Sequence, residues 1–146
     1  MTALSERLRI RYFGKDDHPY RIFEAEVERL LRPQHALLDA GCGRTAPVLS
    51  KYRGKAARLV GIDAVSFTTA LDGVELYERD LGRTKLEDAS VDLIMARSVM
   101  EHVTAPAAVY SEFARILRPG GRFVFLAANL WDYASLIAAA VPNRFQ

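Results

Sequence analysis

Hydrophobic positions along the chain follow two rhythms. Between Pro19 and Arg32 the residues Phe23, Val27, Leu30 and Leu31 recur every three to four positions, which gathers them on one face of a helix. Pro19 suits a first helical turn, where a backbone N–H has no partner to lose, and Pro33 stops the run. The second rhythm is a set of short apolar runs, Ala36–Ala40, Arg58–Ile62, Val74–Glu78, Val91–Ala96 and Arg122–Ala127, which read as strands. At least three of these are apolar on both alternating faces, as in a parallel sheet covered on each side. Helical candidates lie between them, the best from Pro106 to Leu117 with Val109, Phe113, Ile116 and Leu117 on one face. Thr104 is placed to cap its start, and Pro119, Gly120 and Gly121 end it.

Strands that alternate with helices imply right-handed crossovers and an α/β, Rossmann-like, doubly wound parallel sheet of about five strands. Ligands of such sheets bind beyond the carboxyl ends of the strands. The places to search follow Ala40, Ile62, Glu78, Ala96 and Ala127.

Composition refines this picture. A chain of 146 residues, half of them apolar, fits one domain: a helical segment 1–33, a core 34–128 and a C-terminal helix 129–146. The 20 basic and 18 acidic side chains nearly cancel, so no net field argues for nucleic acid or an anionic membrane. Arg7, Arg9 and Arg11 read as a solvated face. Cys42 is the single cysteine, which excludes an intrachain disulfide and a thiol-built metal knuckle and points to a cytoplasmic setting. Met1–Arg11 lacks the apolar core of a secretory signal, and the apolar stretch Phe123–Val141 is interrupted by Asn129 and Asp132, so no membrane span is expected.

The first candidate site is Leu37-Leu38-Asp39-Ala40-Gly41-Cys42-Gly43, a strand entering a turn whose glycines let a ligand approach the backbone. About twenty residues later Leu59-Val60-Gly61-Ile62-Asp63 ends a second strand in a carboxylate that can accept hydrogen bonds from both ribose hydroxyls. Together they point to an adenosine-type ligand. Gly41, Gly43 and Ala46 also satisfy the dinucleotide pattern, so an NAD(P)-dependent oxidoreductase remains open at this point.

Further motifs follow in order: Glu78-Arg79-Asp80-Leu81, Asp88 to Ile94, Glu101-His102-Val103 and Leu117-Arg118-Pro119-Gly120-Gly121 leading to Phe125. With the first two, these resemble the ordered motifs of class I S-adenosylmethionine-dependent methyltransferases of the type 11 family, across residues 36–127. The resemblance implies that Asp39, Gly41, Cys42 and Gly43 form the loop holding the methionine part of S-adenosyl-L-methionine. It places ribose on Asp63, and adenine on Asp80 with the Leu81 amide. The three strand-tip carboxylates are then expected to converge on one nucleoside.

Methyl transfer from a sulfonium is an in-line displacement that mainly requires the acceptor to be held close and collinear. His102, beside Glu101, could act as general base, although the role of filling or capping the loop weighs more. Arg97 and Ser98 directly follow the fourth strand and should border the acceptor pocket, where a cation suits an acidic or phosphorylated acceptor. Trp131 and Tyr133 could wall the pocket, Trp131 more readily as a packing residue. The expected partner is a small-molecule acceptor rather than nucleic acid.

Two departures from the family stand out. The segment Ala64–Gly73 is short for the usual helix, leaving one face of the sheet thinly covered. The family's last two strands are absent before Gln146, which leaves an exposed strand edge. That edge suggests a truncated fragment or completion by self-association, and a cofactor-binding but catalytically impaired module is the corresponding functional alternative.

Overall fold

The computed structural model describes residues 18–127. Helix α1 spans Pro19–Leu30, ahead of strands β1 (Ala36–Ala40), β2 (Arg58–Asp63), β3 (Glu75–Glu78) and β4 (Val91–Arg97), helix α2 (Pro106–Ile116) and strand β5 (Leu117–Leu126). Short 3-10 turns occupy Leu49–Tyr52 and Met100–His102. The five strands form one sheet in the order β3-β2-β1-β4-β5, with every neighbouring pair parallel. The chain therefore steps outward from β1 to β3 and then crosses back to lay β4 on the other side of β1. The loops after β1 and β4 diverge there, so the sheet opens a cleft at its switch point.

Alternation along the strands divides the core into two. Leu37, Leu59, Leu93 and Met95 face α1, which buries Phe23 and Val27, and share that layer with Leu49 and Tyr52 of the first 3-10 turn. Leu38, Val60, Ile62, Ile94 and Ala96 face α2 through Val109, Phe113 and Ile116. Burial of a Phe, Leu or Val side chain contributes about 1.5–3 kcal/mol, so these two layers are the main favourable term holding the sheet between its helices.

As the short Ala64–Gly73 segment implies, no helix lies between β2 and β3, and Phe67, Leu71 and Val74 cover the sheet from a loop. The structure corrects several other details. Only the β4-to-β5 crossover holds an α-helix among the described residues; β1-to-β2 uses the four-residue 3-10 turn. Helix α2 is preceded by Ala105 at the capping position, with no side-chain hydrogen bond there, so Thr104 does not cap it. Strand β5 starts at Leu117 rather than Arg122: Leu117 pairs with Val91 and Arg122 with Leu93, and the Pro119–Gly121 stretch is the irregularity between them. Gly120 takes the φ of +82° that this bulge requires. The predicted helix 129–146 and the Arg7–Arg11 face lie outside the described residues.

Candidate functional site

The cleft measures about 430 Å³ and runs along the carboxyl ends of the strands. Its floor brings together Gly41 after β1, Asp63 and Ala64 after β2, and Asp80 and Leu81 after β3. The facing wall is Arg97 to Val99, then His102 to Ala105, with Ala108 and Val109 of α2 closing the side. One wall is thus acidic, while the other mixes apolar side chains with Arg97, Ser98, His102 and Thr104.

The glycine turn is shaped by close approach. Gly41 has φ +78°, and a Cβ there would stand 2.1 Å from Val99 Cγ2, so the turn can press against the β4 loop only without a side chain. Asp63 holds the turn in place: its Oδ2 accepts from the Gly43 N–H at 2.7 Å, while Oδ1 accepts from the Val65 N–H at 3.2 Å. Asp80 Oδ1 accepts from the Gly82 N–H at 2.7 Å, a local turn that leaves the exposed carboxylate at the mouth of the cleft. Across from them Ser98 sits at φ +56°, an unfavourable region for a residue with a side chain, and its N–H donates to the Leu126 carbonyl at 2.7 Å.

Asp39 lies behind this floor rather than in it. The residue is 4 % exposed, and Oδ2 has no hydrogen-bond partner among the described residues. Burial pushes its carboxyl up to about 7; the Arg97 guanidinium pulls against that rise and the Asp63 charge adds to it. Arg97 reaches the cleft from the tip of β4. Its Nη1 donates to Glu24 Oε1 of α1 at 3.4 Å, and its guanidinium lies 4.6 Å from the centroid of the Tyr20 ring.

Of the residues singled out from sequence, Gly41, Asp63, Asp80, Leu81, Arg97, Ser98 and His102 line one cleft. Gly43 does not line it and is tied to it only through its N–H bond to Asp63. The Cys42 side chain points instead into the core against Gly61, where burial pushes its thiol up to about 12. Trp131 and Tyr133 lie outside the described residues. The wall residues Val99, Val103, Ala105, Ala108 and Val109 carried no sequence signal as ligand contacts, since apolar side chains read as core. Tyr20 and Glu24 were also missed: Glu24 meets Arg97 across 73 positions, a separation no local pattern encodes.

A five-stranded parallel sheet with a switch-point cleft places the chain among the Rossmann-like α/β proteins. The family model described as Methyltransferase domain matches residues 38–125, and the chain belongs to that family. It is 34% identical over 125 residues to a probable S-adenosylmethionine-dependent methyltransferase of Mycolicibacterium smegmatis, covering 80% of this chain and 48% of that protein. It is 36% identical to the trans-aconitate 2-methyltransferase of an Azoarcus species over 82% of this chain and 53% of the relative. Among solved structures, the YcgJ protein of Bacillus subtilis superposes with a TM-score of 0.67 at 19% identity, covering 74% of this chain and 50% of that one, a likeness of fold. The chain thus spans about half the length of these curated relatives.

Proposed function

We propose that this chain is the cofactor-binding part of an S-adenosyl-L-methionine-dependent methyltransferase that acts on a small-molecule acceptor. The observation that carries the reading is the gathering of the glycine turn, Asp63 and Asp80 along one side of a single cleft in a chain of this family. When bound, the cofactor supplies an electrophilic methyl group on a sulfonium. Asp63, its loop contacts made through one lone pair on each oxygen, retains acceptor capacity for ribose hydroxyls. Asp80 offers a carboxylate to an adenine amino group, with the Leu81 amide beside it. The backbone at Gly41 leaves room for the amino-acid end, and Asp39, buried behind the floor with an unpartnered Oδ2, acts on the site through its neighbours Asp63 and Arg97.

The chain's own contribution to rate is positional. Val99, Val103 and Ala108 give the cleft an apolar side, and the Ser98 backbone, strained at the tip of β4, borders the space where an acceptor would be held. His102 stands on the same wall, exposed, where its imidazole can take the proton of an oxygen or nitrogen acceptor.

The oxidoreductase alternative loses its physical basis at β1. A dinucleotide pyrophosphate rests on the N-terminus of the helix after the glycine turn, whereas residues 41–57 here contain turns and one four-residue 3-10 segment. Calorimetry with S-adenosylhomocysteine, followed by an assay for its release from S-adenosylmethionine across acceptors, tests the proposal. Binding with turnover is expected; binding without turnover on any acceptor marks a module that keeps the site without catalysis, and tight NAD binding alone overturns both.

A further inference from the structure

Arg97 is the member of the cleft that methyl transfer leaves without a task. Its side chain is only 27% exposed, and its single hydrogen bond among the described residues is the one to Glu24 at 3.4 Å. A guanidinium carries five N–H donors. Glu24 is already claimed by Lys51, whose Nζ stands 2.7 Å from the same Oε1, so the longer contact with Arg97 is the weaker of the two. Asp39, the other acid on this face, is buried and makes no hydrogen bond to Arg97. A largely buried cation with unused donors is costly until an anion meets it, and the open direction is the cleft that Arg97 lines beside Gly41 and Ser98.

We propose that Arg97 anchors a carboxylate of the molecule that occupies the cleft, with the Tyr20 ring and Glu24 fixing the plane of its guanidinium. The planar fork matches a carboxylate in bidentate fashion. A phosphate dianion fits less well, because among the described residues Arg97 is the one permanent cation of the lining and Asp63 and Asp80 already supply two negative charges there. The Tyr20 face holds the guanidinium flat without consuming its donors. Two molecules can present such a group: the cofactor, through its amino-acid end, and the acceptor. The identity of the carrier rests on the methyltransferase reading; the presence of an anion site does not.

The test compares the wild-type chain with Arg97→Met and Arg97→Lys, each first shown folded by far-ultraviolet circular dichroism. Calorimetry is run with S-adenosylhomocysteine, its carboxyl methyl ester and 5′-methylthioadenosine, which lacks the amino-acid end. If the cofactor carries the carboxylate, Arg97→Met weakens S-adenosylhomocysteine about tenfold or more and leaves 5′-methylthioadenosine unchanged, with Arg97→Lys between. Esterification weakens wild-type binding to the same degree, a readout that survives even if the variants misfold. If the acceptor carries it, nucleoside affinities stay constant, and millimolar succinate or citrate raises the melting temperature of wild type but not of Arg97→Met. Equal weakening of both nucleosides, or no difference in either arm, overturns the proposal. A wild type that binds no nucleoside defeats the methyltransferase reading alone, and the succinate and citrate melts without nucleoside then decide the Arg97 site.

Discussion

Glu112 and Asp39 are both carboxylates largely withdrawn from water, on opposite faces of one sheet, and their surroundings differ in every respect. Glu112, on α2, accepts from the Thr84 N–H at 2.9 Å, the Thr84 hydroxyl at 2.5 Å, and Arg115 Nε at 2.9 Å and Nη2 at 2.7 Å. Arg115 goes on to Asp88 and to the Leu86 carbonyl, so the loop from β3 to β4 is pinned to α2 at Thr84, Leu86 and Asp88. The Arg115 hydrogen bond, seconded by Thr84, holds the Glu112 carboxyl down at about 2. Asp39 has a bare oxygen and a carboxyl pushed up to about 7. A saturated network builds the frame, whereas at the switch point one buried acceptor stays without a partner just behind the cleft.

Breaking the frame should cost the most. Glu112→Ala leaves the fully buried Thr84 hydroxyl and N–H without their acceptor, and urea unfolding at pH 7 should show a loss of about 4 kcal/mol. Because the folded Glu112 carboxyl lies below its unfolded value, its stabilisation is present above about pH 4.5 and fades as pH falls toward about 2. The variant's acid limb should lack that fall.

Asp39→Asn should do the reverse. The folded carboxyl titrates above its unfolded value, so wild-type stability declines as pH rises from about 4 to about 7. The amide removes that decline, and chemical unfolding at pH 8 should show a gain of about 3 kcal/mol, while calorimetry records weakened S-adenosylhomocysteine binding. An unchanged affinity would sever the link between the orphan oxygen and the ligand.

Gly41→Ala places a Cβ against Val99 at φ +78° and should lose about 2 kcal/mol in thermal unfolding, with nucleoside affinity falling in parallel. Ser98→Gly relieves the smallest strain, and a gain of about 1 kcal/mol is expected.

What the sequence revealed follows the range of the physics involved. Strands β1, β2 and β4 were legible because burial on both faces writes an unbroken apolar run. Asp63 was legible because a carboxylate at the end of such a run marks a strand tip, and Asp80 because it follows the strand Glu75–Glu78 by two residues. The start of β5 was not: Leu117-Arg118-Pro119-Gly120-Gly121 carries the punctuation of a helix stop, and only pairing of Leu117 with Val91 turns it into a bulged strand. The direction of a side chain also escaped, since Asp39 and Cys42 belong to the turn motif yet face the layer beneath it. The Tyr20–Arg97–Glu24 clasp depends on a helix and a strand meeting in space, which no local spacing records.

The central claim is that the cleft from Gly41 to Asp80 takes the adenosyl cofactor, and thermal unfolding with added ligand tests it most directly. A ligand that binds only the folded state raises its stability by RT ln(1 + [L]/Kd), about 2.7 kcal/mol at a hundredfold excess over Kd. The account predicts a clear, concentration-dependent rise in Tm with S-adenosylhomocysteine and none with NAD. A chain that melts at the same temperature with and without saturating S-adenosylhomocysteine would contradict it.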